Sequence, residues 1–84
     1  MVNKLDPKIE KKLLKTVSSS NFNIKNFKYE ISDDGKFINL SGIMENPDFE
    51  LFSTLIDKYE KLLNAKFVNV SSVSGTHTFT YEFI

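Results

Sequence analysis

Phe27-Lys28-Tyr29-Glu30-Ile31-Ser32-Asp33-Asp34-Gly35-Lys36-Phe37-Ile38-Asn39-Leu40 is the stretch that decides the fold. Phe27, Tyr29 and Ile31 alternate with Lys28 and Glu30, the period-two pattern of a strand that buries one face. Asp34-Gly35 suits the two positive-φ positions of a two-residue hairpin turn, which pairs Asp33 with Lys36. Counting outward sets Ile31 opposite Ile38, Tyr29 opposite Leu40 and Phe27 opposite Gly42, all on one face. Turn chemistry and hydrophobic pattern give the same register independently, so this hairpin anchors the rest of the chain.

A second hairpin is expected at the C-terminus, with strands over about 66–73 and 76–83 joined at Ser74-Gly75. A two-residue turn there sets Val70 opposite Phe79 and Val68 opposite Tyr81, with Phe83 extending that face. Thr76, Thr78, Thr80, Glu82, Asn69 and Ser71 then share the wetter face. Each hairpin follows an amphipathic helix. Asp6-Pro7 starts the first, about 7–18, where Asp caps the free amides and Pro at the first position loses nothing. Ile9, Leu13 and Val17, with Leu14 beside them, form its apolar stripe, while Lys8, Lys11, Lys12 and Lys15 face outward. The run Ser18-Ser19-Ser20-Asn21 ends it. Asn46-Pro47 repeats the same start for the second helix, about 47–64, with Asp48 and Glu50 in its first turn. Its stripe is Phe49, Phe52, Ile56, Tyr59 and Leu63, widened by Leu55 and Leu62, and Asn64 is a left-handed stop.

The expected fold is therefore α+β in the order αββαββ, a four-stranded antiparallel sheet with both helices on one face. This is a ferredoxin-like sandwich permuted to begin at its first helix, with the C-terminal strand inside the sheet. With 84 residues, residues 1–84 form a single domain. Eight Phe and three Tyr supply a core.

Composition narrows the chemistry. The chain has no cysteine, so neither a disulfide nor a thiolate metal site nor a Cys nucleophile is available. Eleven acidic residues balance eleven basic ones, all of them Lys, so the positive field of a dedicated nucleic-acid binder is missing. The apolar runs are too short for a membrane span. His77 is the lone histidine, and it is expected at a strand end on the sheet rim, without a nucleophile and orienting acid beside it. Asp33-Asp34-Gly35 imitates the start of a calcium loop, but Phe37, Asn39 and Leu40 do not continue the ligand series. The serine triplet lacks the glycines of a phosphate loop. No catalytic residue, metal ligand or cofactor is expected, and the chain reads as a non-enzyme.

Surface features point to binding instead. In the expected registers Phe37 and Phe67 lie on the sheet face away from the helices, and Ile84 is expected to join them as an interaction surface. Stacking aromatics of this kind occur in RNA-binding ferredoxin-like domains, but their Gly/aromatic strand motif and basic surround are absent.

The strand ending Ile38-Asn39-Leu40-Ser41-Gly42, the long helix Phe49 to Leu63, and Phe67-Val68-Asn69-Val70 leading to Phe79-Thr80-Tyr81-Glu82-Phe83 together resemble the periplasmic domains of PilO and GspM. These are inner-membrane assembly proteins of type IV pili and type II secretion. The resemblance implies a scaffold at the periplasmic face of the inner membrane, forming homodimers or heterodimers with a related assembly protein, and anchored through a segment outside this chain. Leu40-Ser41-Gly42 before a helix is also similar to BON-type and ring-building modules, which implies ring formation or lipid attachment. A small cytoplasmic ligand- or RNA-binding domain is the third expectation.

Overall fold

The computed structural model describes residues 5–18, 24–45 and 48–84. Along them run α1 (Pro7–Val17), β1 (Lys25–Ile31), β2 (Phe37–Ile43), α2 (Phe49–Leu63), β3 (Ala65–Val73) and β4 (Thr76–Phe83). The strands make one antiparallel sheet in the order β1-β2-β4-β3. The C-terminal strand lies inside the sheet, as its pattern predicts, and the fold is α+β of the ferredoxin-like type.

The helix ends follow local side-chain chemistry. Asp6 accepts the Lys8 amide at 2.9 Å and Pro7 opens α1, while Ser18 closes it by donating its amide to the Leu14 carbonyl. For α2 the cap is Asp48, which accepts the Leu51 amide at 2.7 Å, and the helix runs from Phe49. Asn46 and Pro47 lie outside the described residues, as do Ser19, Ser20 and Asn21. Because Phe49 occupies the first helical position it is 88% exposed and does not belong to the buried stripe. Asn64 takes the left-handed conformation (φ 52°, ψ 50°) and is the single residue between α2 and β3.

The first hairpin has the expected pairs Ile31 with Ile38 and Tyr29 with Leu40. Its turn is built differently. Only Gly35 has a positive φ (73°), and the Gly35 amide donates to the Ser32 carbonyl while the Ser32 amide donates to the Phe37 carbonyl. The Asp34 carboxylate, bonded by the Ser32 hydroxyl (2.6 Å) and the Lys36 amide (2.9 Å), holds this wider loop and is itself held below the usual carboxylate range. At the far end Asn26, at φ 53°, shifts the register so that Lys25 pairs with Ile43 and the expected pair of Phe27 with Gly42 is lost.

The second hairpin turns on Ser74 and Gly75, both at positive φ, and pairs Val70 with Phe79 as expected. Between Phe67 and Asn69 the register slips at Val68, so Phe67 and not Val68 faces Tyr81. A bulge puts one extra residue in a strand and reverses the faces of everything before it. Ala65 and Phe67 therefore turn to the helices, and Lys66 comes opposite Glu82. Glu60 accepts the Phe67 amide at 3.0 Å beside the slip.

The core lies between the helices and one sheet face, with Leu13, Ile38, Leu40, Leu55, Tyr59 and Tyr81 almost wholly enclosed. Tyr59 stands edge-on to Phe79 and Tyr81, and Tyr81 to Phe67. Two phenols tie the layers together: Tyr81 donates to the Ile56 carbonyl of α2 at 3.0 Å, and Tyr29 donates to Glu10 of α1.

Burial drives the Tyr59 and Tyr81 phenols well above the ordinary tyrosine value of ~10. The unfolded chain releases these protons above that pH and the folded chain holds them. Their contribution to stability is complete below pH ~10 and is lost as pH climbs toward the folded values. Alkaline titration is expected to show tyrosinate absorbance from these two rings only together with loss of the circular dichroism of the fold. Ionisation of all three tyrosines with the dichroism intact would contradict this.

Candidate functional site

His77 is buried at 8% exposure, not on the rim where its place near the turn suggested. On β4 it shares the helix-facing side with Phe79 and Tyr81, and Phe52 of α2 packs edge-on against it with centroids 5.1 Å apart. The Ser72 hydroxyl lies 2.6 Å from its Nδ1, across the β3–β4 pair. A hydroxyl on an imidazole is the first contact of a nucleophile–base pair, but the pair also needs an orienting acid and an oxyanion site. Gly42, Met44, Phe79 and Tyr59 line the small space around it, so the surroundings are apolar. The Ser72 hydroxyl gives one nitrogen of the ring a partner across the β3–β4 pair.

Among the described residues no group of three or more His, Asp or Glu side chains gathers around a point where a metal could sit. Asp34 spends its carboxylate inside the first turn. Among the same residues no helix is long and apolar enough to cross a membrane.

Among the described residues, no element covers the sheet face away from the helices. A shallow depression of about 430 Å³ crosses it, lined by Lys28, Glu30, Asn39, Ser41, Ser71, Thr78 and Thr80 among others. Its hydroxyls and amides bond one another: Thr80 donates to Asn39 at 2.6 Å, and Ser41 and Thr78 lie 3.2 Å apart. Such a surface offers matched polar partners and little acid–base chemistry.

Of the three residues expected to mark a contact surface, the structure leaves one on this face. Phe37 pairs with Glu82 and stands on the open side, half-buried among polar neighbours. Phe67 does not: the slip at Val68 turns it onto Tyr81, with ring centroids 5.6 Å apart, and it packs against the core. Ile84, 90% exposed beyond the end of β4, lines a depression with Glu60, Asn64 and Lys66 at the C-terminal end of α2. The three do not form one patch.

Apolar exposure concentrates elsewhere, on β3, where the sequence pattern assigned Val68 and Val70 to the core. Val68 (44%), Val70 (38%) and Val73 (71%) are exposed on β3, an edge strand. The available signal was compositional, for no Asp, Glu, Lys or Arg occurs between Lys66 and Glu82. On the helix side Lys8, Lys11, Lys12 and Lys15 are all exposed, and Lys12 shares a depression with Lys58 and Lys61. Asp57 pairs with Lys61 at 3.2 Å, so this basic area is partly neutralised.

Comparison with protein-family models, curated proteins and solved structures finds no match to this chain.

Ser72→Ala is expected to lower stability by about 0.5–1.5 kcal/mol, because it removes the part-buried hydrogen bond to the His77 ring. Ser71→Ala, one residue along on the open face, is expected to cost less than about 0.5 kcal/mol. Urea unfolding measures both, and equal losses would contradict the structural role of the Ser72–His77 contact.

Proposed function

We propose that this chain is a non-enzymatic protein–protein interaction module. The observation that supports it is that the sheet is roofed on one side only, with Phe37 standing in an open polar face. A half-buried aromatic set opposite Glu82, on the face that also carries Asn39 and Thr80, fits a protein contact, where aromatic anchors in a polar rim supply most of the binding energy. The even charge balance and the absence of Arg disfavour nucleic acid, and the partial neutralisation of the lysines on the helices disfavours an anionic surface.

The setting we propose is a scaffold role in type IV pilus or type II secretion assembly, on the periplasmic side of the inner membrane. It rests on the resemblance of the segments 38–42, 49–63 and 67–83 to the PilO and GspM domains. The αββαββ order is compatible with it. The same resemblance makes a related assembly protein a proposed partner.

The test is site-specific crosslinking in the native host. A photoreactive residue at position 37 is expected to give discrete protein adducts that Thr80→Lys reduces severalfold, and one at Lys11 is expected to give none. Adducts to nucleic acid at position 37, or the same adducts from both positions, would overturn the proposal.

A further inference from the structure

We propose that two copies of this chain pair edge to edge through β3, extending the antiparallel sheet across a twofold axis at Ser71. The proposal rests on the interaction-module reading and names a partner and a surface for it.

The two edges of the sheet are β1 and β3, and they differ in kind. Sheet edges in natural proteins are protected by charge, proline or bulges, because a free row of amides and carbonyls is a template for another strand. On β1, Lys25, Lys28 and Glu30 are exposed and the left-handed Asn26 breaks the register. On β3 the register slip sits near the start, at Val68. Beyond it Asn69 to Val73 pairs with β4 without interruption and carries neither charge nor proline.

The turn fixes which backbone groups are free. Val73 and Thr76 flank a two-residue turn and bond each other, so alternation along the strand gives Ser71 and Asn69 to β4. Val70 and Ser72 therefore direct their amides and carbonyls outward. When β3 is laid antiparallel against itself about Ser71, Val70 of one copy meets Ser72 of the other. The outward groups of both strands are then satisfied, and Asn69 meets Val73.

Charge favours a second copy of the chain over an unrelated strand. Self-pairing sets identical residues close together about the axis, and like charges directly opposite one another are destabilising. The same operation on β1 about Lys28 would stack lysines, whereas the β3 segment brings only Val, Ser and Asn together. With a formal charge of +0 the copies have no long-range repulsion to overcome. Pairing also takes Val70 and Val73 from water. One unprotected edge per chain closes the assembly as a dimer and does not propagate a filament.

Sedimentation of the folded chain from micromolar to millimolar concentration, with amide exchange followed by NMR, tests this. We expect a reversible dimer in which the Val70 and Ser72 amides gain protection with concentration, while those of Ser71 and Val73 are protected throughout. Ser71→Lys and Ser71→Glu change an exposed side chain on the open face. Each is expected to raise the dissociation constant at least about tenfold, and mixing the two is expected to restore association. A dimer with unprotected Val70 and Ser72 amides and no response to either charge would overturn β3 pairing while leaving the interaction-module reading standing. A chain that stays monomeric would overturn self-pairing, and the crosslinks at position 37 would still decide the broader reading independently.

Discussion

Tyr81 is the residue on which the two layers depend. It sits in β4, the strand that pairs with both β2 and β3, and is wholly enclosed. Its ring meets Tyr59 of α2 and Phe67 of β3 edge-on, and its hydroxyl donates to the Ile56 carbonyl. A phenol in an apolar core must find an acceptor or forfeit its hydration. That acceptor is a helical carbonyl, so the bond sets where α2 lies along the sheet. With α2 so placed, Phe52 covers His77 at one end, and Asn64 leads directly into β3 at the other.

This arrangement consumes the apolar side chains on one face and leaves the other uncovered. The open face is satisfied internally by Thr80 with Asn39 and Ser41 with Thr78, so it is stable in water without a second layer. A small domain with one roofed sheet has two kinds of resource left for function, its open face and its edges. The edges are unequal because charge is unequal along the chain: β1 carries Lys25, Lys28 and Glu30, and β3 beyond Lys66 carries none. Charge thus marks β1 as closed to further pairing and β3 as open to it.

Much of the architecture was legible in the sequence because separate signals agreed. The αββαββ order, the register of Ile31 with Ile38 and Val70 with Phe79, and the left-handed Asn64 all followed from alternation, turn residues and capping. The register failures share a cause, which is that a period-two count assumes no extra residue. Ala65 and Phe67 alternate in one phase and Val68 and Val70 in the other, and that change of phase was the sign of the slip at Val68. Reading through it placed Phe67 on the wrong face and removed half of the expected aromatic patch. The first turn held its register while changing its type, because the Asp34 side chain stabilises a wider loop than its backbone alone would choose. The inward side of His77 was legible in its phase with Phe79 and Tyr81, whereas its cover by Phe52 is a contact between elements distant in the chain.

The central claim is that one face of the sheet is core and the other is free. Relaxation enhancement by a soluble paramagnetic probe, measured at high dilution on side-chain methyl protons, tests it most directly. The account predicts strong enhancement at the methyls of Thr76, Thr78 and Thr80 and almost none at those of Leu40 and Leu55. Comparable shielding of both sets would mean that the open face is covered, and the account would be wrong.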